Sequence, residues 1–182
     1  MKNDYYKRVP RELKANLRWR RFVLREAANN PELQQALWMA CQTDAIFYIS
    51  TFIFQCNPKA KGEDQKVGPF IPWLYQIRGI LCEGGILWCV KHGEDLVCEK
   101  SREMGITWLF LMCMDWLCRF QGYHDSIMIS KSAKAVDEQS RQSLFGKLRF
   151  IHEHLPRWLH NPDPMKSIDN KNVFIYDKTK ST

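Results

Sequence analysis

The chain has 182 residues, is 45% hydrophobic and carries a formal net charge of +7, enough apolar content for one compact unit with a sizeable core and a small helical appendage. No charged-then-apolar leader precedes a small-residue cleavage site, and the longest apolar run, Ile106 to Cys118, is interrupted by Asp115 and too short to span a bilayer. Secretion and membrane insertion are therefore not expected.

The charge is unevenly placed. Residues 1–26 hold nine Lys or Arg against three Asp or Glu, a net +6, which leaves +1 for the rest. A basic helix reading RELKANLRWRRFVLREA predicts contact with nucleic acid or an acidic partner surface, or simply a solvated face. Seven cysteines, at 41, 56, 82, 89, 98, 113 and 118, show no CxxC spacing and sit among apolar neighbours. They read as reduced, buried thiols of a cytoplasmic protein.

In chain order, 10–28 and 31–55 are predicted helices, the second ambiguous between helix and strand at its aromatic end. The polar stretch 57–69, NPKAKGEDQKVGP, reads as a linker and candidate boundary between a helical region, 1–56, and a second unit, 57–182. A helix follows over 73–82, weakened by Glu83, Gly84 and Gly85, and ILWCV either resumes it, the favoured reading, or starts a strand. The turn at 92–95 leads into a short apolar strand, 96–99, and helix 107–120 is apolar on nearly every face, as under a sheet covered on both sides. Asp115 and Arg119, four apart, are expected to pair on its one wet edge. Residues 126–130, SIMIS, form a second strand, 133–154 a helix stopped by Pro156, and 173–177, VFIYD, a last strand. Strands alternating with helices predict an α/β fold with a parallel sheet.

Between strand 96–99 and helix 107–120 lies KSREMGIT. A strand, a glycine turn and a helix start form the geometry that cradles phosphate, because backbone N–H groups and the helix dipole converge on the anion. Set against GxxxxGK[ST], Lys100 takes the first-glycine position, Gly105 the second, Ile106 the lysine position and Thr107 the hydroxyl position. The cation has moved to the front of the loop, at Lys100 with Arg102 beside it, while Thr107 keeps the hydroxyl that such loops give to Mg²⁺. Glu103 inside such a loop repels an anion unless it turns away or pairs. Gln76 has an amide able to match an adenine edge, with Phe70, Trp73 and Tyr75 as a stacking wall, or alternatively as core aromatics. Ser130, Lys131 and Ser132 stand at a strand end, as ligand contacts or a plain polar turn. His152, Glu153 and His154, and Cys89 with His92, do not complete a tetrahedral metal set.

KSREMGIT followed by WLFLMCMDWLCRF resembles the variant Walker A loop and helix of the large subunits of tailed-bacteriophage terminases, the ATPases that drive DNA into viral heads. The segment 57–81, with Gln76 at its Q-motif glutamine, and the segment 126–159 are similar to further parts of that family in the same order. Trp73 stands where some relatives carry arginine. The resemblance implies an incomplete P-loop NTPase sheet preceded by a helical region, with Lys100, Ser101, Arg102, Glu103, Met104, Gly105, Ile106, Thr107, Gln76 and Trp73 around ATP and Mg²⁺ held through Thr107. It also implies double-stranded DNA, a portal protein and a small terminase subunit as partners, assembly into a ring, and a host-cytoplasmic location. No apolar strand ends in the Asp-Glu pair that phosphoryl transfer needs, since VFIYD closes on Asp177 followed by Lys178. The resemblance thus implies the first part of an ATPase domain, without Walker B or nuclease, binding ATP weakly and hydrolysing it poorly. A helicase-like P-loop ATPase and a non-enzymatic adaptor using the basic arm are the alternatives.

Overall fold

The computed structural model describes residues 4–57, 66–101, 104–138, 140–160, 169–170 and 173–174. After a 3₁₀ turn at Tyr5–Arg8 come α1 (Leu13–Ala27), α2 (Pro31–Thr43), α3 (Ala45–Phe52), β1 (Phe54–Cys56), β2 (Val67–Pro69), α4 (Leu74–Leu81), α5 (Ile86–His92) and α6 (Ile106–Trp116). A single π turn, Leu117–Gln121, extends α6, and α7 (Ala133–Val136), α8 (Leu144–Glu153), a 3₁₀ turn at Arg157–Leu159, β3 (Asp169–Asn170) and β4 (Val173–Phe174) complete the described elements.

The predicted single helix over 31–55 is two helices and a strand. Asp44 is extended at φ −138°, ψ 97°, and its carboxylate accepts from Phe47 N at 2.9 Å and Tyr6 N at 2.8 Å. An aspartate that caps the following helix ends the preceding one. Every residue of α3 is buried, which explains why its sequence is apolar all round. β1 pairs antiparallel with β2, Phe54 opposite Pro69 and Cys56 opposite Val67, so the polar stretch around 57–66 joins the arms of a hairpin.

One hydrophobic cluster runs through Ile46, Phe52, Ile80, Leu109, Met112, Phe150 and Leu159, drawing on residues from both sides of that hairpin. Each such fully buried side chain contributes about 1.5–3 kcal/mol. Trp158 meets Phe52 edge-on at 5.5 Å, and Phe120 meets Tyr48 at 5.2 Å. α8 starts where Ser143 accepts from Gly146 N at 3.0 Å; a Cβ on Gly146 would collide with the Ser140 carbonyl, which is why this first-turn position is glycine.

The parallel sheet expected from the alternation of strands and helices is not assembled among the described residues. Residues 94–101 and 124–130, which include both predicted strands, lack regular secondary structure, and the sheets present are the antiparallel pairs β1–β2 and β3–β4. Val173 and Phe174 pair antiparallel with Asn170 and Asp169, while the remainder of VFIYD lies outside the described residues. Over 121–129 the side chains alternate between exposed and half-buried, the period of a strand without its ladder. Three β-branched side chains of the two segments are far out in solvent: Val97 is 95%, Ile127 87% and Ile129 86% exposed.

Three charged groups expected at the surface lie in the core. Arg20, on the basic arm, is 2% exposed. Its Nε donates to Asn16 Oδ1 at 2.7 Å, Nη1 to Ile53 O at 2.8 Å, and Nη2 to Ser50 O at 2.7 Å and Phe70 O at 3.1 Å. The acceptors are mainly the last carbonyls of α3 and those just beyond it, the negative end of that helix, so the cation is held by backbone rather than a carboxylate. Burial pulls its guanidinium down to about 9. Asp115 and Arg119 do pair, at 2.9 Å, but both side chains are buried and the expected wet edge is absent. Of the cysteines, all free, Cys41, Cys89, Cys113 and Cys118 are buried, whereas Cys82 and Cys98 are exposed. Among the described residues no helix is long and apolar enough to cross a membrane.

Candidate functional site

Helix α6 is fastened at both ends, by the turn before it and by a polar cluster at its far end. At its start Gly105 takes φ +71°, the left-handed conformation that favours glycine, and serves as the N-cap of α6. A Cβ on Gly105 would stand 3.4 Å from Gln76 Nε2. Gln76 itself is 4% exposed. Its Oε1 accepts from Trp73 N at 2.8 Å and its Nε2 donates to Met104 O at 3.0 Å. The first bond satisfies an N–H at the start of α4, and the second ties that start to the glycine turn 28 residues later.

At the far end of α6, Asp115 accepts from Arg119 Nη2 at 2.9 Å, from Tyr48 Oη at 2.5 Å and from His152 Nε2 at 2.7 Å. Nε2–H therefore donates to the carboxylate, and Arg119 Nη2 lies 3.0 Å from that same nitrogen and 3.3 Å from Nδ1. Arg119 Nη1 also donates to Leu159 O at 2.9 Å. Burial alone would push Asp115 up, but Arg119 and His152 override it and hold the carboxyl well below the usual range. His152 is lowered, by burial first and then by the Arg119 charge, against the pull of Asp115. Tyr48 is pushed well up by burial and by the neighbouring carboxylate. This cluster fastens α3, α6 and α8 together, and sequence reasoning found only its Asp115–Arg119 pair. His152 and Tyr48 lie 37 and 67 positions from Asp115, beyond the reach of any helical spacing.

The predicted nucleotide residues divide as follows. Gln76, Trp73, Met104 and Gly105 come together, with Ile106 and Thr107 opening the helix. Lys100, Ser101 and Thr107 are exposed, and Met104, Gly105 and Ile106 are half-buried. Arg102 and Glu103 lie outside the described residues. Trp73 and Tyr75 face solvent at 66% and 46%, whereas Phe70, expected in the same wall, is 3% exposed and belongs to the core. Both functional groups of the Gln76 amide are engaged inside the protein, each with one hydrogen-bonding position left. Ser130 and Lys131 are exposed, while the Ser132 hydroxyl caps α7 by accepting from Ala135 N at 3.3 Å.

His154 lies tilted against Phe150 with ring centres 4.1 Å apart and its Nδ1 2.9 Å from Phe150 O, and His92 stacks on Trp88 at 4.2 Å. Among the described residues no three His, Cys, Asp or Glu side chains gather as a metal centre. No protein-family model, curated protein or solved structure matches the chain.

Proposed function

We propose that the chain carries the nucleotide-binding part of a terminase-like DNA-packaging ATPase, with ATP lying against residues 100–107. The observation that supports this reading best is the Gln76 bridge, which brings the upstream glutamine segment and the glycine turn, two parts of the same resemblance, into direct hydrogen-bond contact. The left-handed Gly105 at the head of an 11-residue helix adds the backbone donors and dipole suited to a phosphate tail. On this reading Lys100 and Arg102 neutralise the β- and γ-phosphates, Thr107 ligates Mg²⁺, and Trp73 and Tyr75 flank the base. Gln76 positions the turn.

The fold that accompanies the reading is a P-loop α/β sheet whose strand positions are 96–99 and 126–130, supported by the exposed Val97, Ile127 and Ile129. Its partners are double-stranded DNA, a portal protein, a small terminase subunit and further copies in a ring, in a host cytoplasm. The chain contributes binding rather than turnover, since no apolar strand of its sequence ends in an Asp-Glu pair.

Titration of a fluorescent ATP analogue with Mg²⁺ tests this. Lys100→Ala and Thr107→Val should each weaken binding by about tenfold, roughly the loss of one charge-assisted contact. Wild-type affinity in Lys100→Ala would overturn the assignment. It would leave the adaptor reading, which the outward cations of α1 favour.

A further inference from the structure

The basic arm divides, on folding, into one internal cation and an ordered external row. The buried residues of α1 are Asn16, Arg20, Val23 and Ala27. Lys14, Arg18, Arg21 and Arg25 follow at steps of four, three and four, and all four are exposed. At 3.6 residues per turn they occupy a sector of about 60° opposite the buried face and form a ridge about 16 Å long. We propose that this ridge is a binding surface for the phosphate backbone of a nucleic-acid duplex, independent of the nucleotide reading because none of its residues takes part in that site.

The ridge keeps most of its charge. Glu12, the acid at its start, uses both carboxylate oxygens to cap the helix, accepting from Lys14 N at 3.0 Å and Ala15 N at 2.8 Å. Glu26, at the other end, pairs with Arg25 at 3.0 Å. Arg11 lies before the ridge and donates to Pro72 O at 3.2 Å, so it contributes to anchoring α1. Three of the four ridge cations are arginines, whose planar fork matches phosphate oxygens in pairs. A duplex carries one negative charge per about 1.7 Å of axis, so a ridge of this length meets more phosphates than it has cations.

A bilayer surface fits less well. A helix lying on lipid turns its apolar stripe outward, whereas the centre of this outer face is cationic and the apolar stripe of α1 is inside. Leu13, Leu17 and Phe22, 53%, 42% and 53% exposed, only border the ridge.

The test is fluorescence anisotropy of the full chain with a labelled random-sequence duplex, without nucleotide, as salt is raised from 50 to 200 mM. Four phosphate contacts predict a log–log slope of about −3.6, or about 150-fold weakening over that range. Arg18→Gln with Arg21→Gln should reduce the steepness by about 1.8, and Arg18→Lys with Arg21→Lys should restore it. Lys91→Gln with Lys134→Gln, exposed basic residues elsewhere, should leave it unchanged. An unaltered slope in the glutamine variant, with unchanged circular dichroism, would overturn the proposal. So would binding to phosphatidylserine vesicles or polyglutamate in the absence of duplex binding. The ATP analogue is read on the same samples. Duplex affinity lost with nucleotide affinity intact in the glutamine variant supports the ridge, whereas a chain that binds duplex through the ridge but no ATP leaves it standing and removes the preceding reading.

Discussion

His152 Nε2 lies 2.7 Å from Asp115 Oδ1, joining α8 to the buried end of the helix that follows the glycine turn. The imidazole is held neutral by burial and by Arg119, so its folded pKa lies below the ordinary 6.5. A group whose folded pKa is depressed binds more protons when unfolded, so stability falls as pH drops below about 6.5. One such group contributes at most about 1.4 kcal/mol per pH unit. Urea midpoints measured from pH 7.5 to 5 should fall, and His152→Gln should flatten that slope. Asp115, also depressed, contributes stability that is present above about pH 4 and lost below it, outside that range.

Removing the carboxylate should be more damaging than removing the imidazole. Asp115→Asn leaves the Arg119 guanidinium buried without a counter-charge, a change that costs about 3–5 kcal/mol. Urea unfolding should report that loss at pH 7, whereas Asp115→Asn combined with Arg119→Met should recover a large part of it. Equal stability of the single and double variants would contradict the pairing.

Arg20 gives a parallel case with a different acceptor set. Arg20→Lys keeps the charge but cannot reach Asn16, Ser50, Ile53 and Phe70 together, so some of those buried acceptors lose their donor. Each unsatisfied buried group costs about 1–3 kcal/mol. Arg20→Lys should therefore be destabilised by several such increments, while Arg18→Lys on the outer face should remain within about 0.5 kcal/mol, as differential scanning fluorimetry would reveal.

Gln76 acts on the turn through both ends of its amide. Gln76→Ala should therefore weaken ATP and GTP analogues alike, because the Met104 carbonyl loses its tether whichever base is bound. A selective loss of ATP would instead make the amide a base reader. Gly105→Ala should cost about 1–2 kcal/mol from its left-handed conformation, with further crowding against Gln76.

The exposed apolar segments predict association. Val97, Ile127 and Ile129 present β-branched side chains on backbone without strand partners, the condition that favours pairing between chains. Light scattering after size exclusion should detect oligomers in the wild type, and Ile127→Lys with Ile129→Lys should shift the population toward monomer. A clean wild-type monomer at micromolar concentration would refute this.

Local sequence was sufficient for what depends on neighbours a few residues away. The helices at 13–27, 74–81 and 106–116 follow from periodicity and stop signals, and the glycine turn from its position before an apolar helix, whereas the single helix expected over 133–154 is two, Ala133–Val136 and Leu144–Glu153, the second opened by its own Ser143 cap. The break at Asp44 was also local in origin, yet it was hidden because a completely buried helix has no polar face to interrupt. Helix α6 shows the limit most clearly. Its spacing put Asp115 beside Arg119, but only the arrival of Tyr48 and His152 from distant segments made that edge internal. Arg20 was one of nine basic residues in an arm, and only the packing of α3 against α1 selected it to close a helix end. Periodicity records which face a residue occupies. Whether that face meets water or another part of the chain is decided when segments far apart in sequence exclude solvent together, and that decision sets the charge state and role of each polar group.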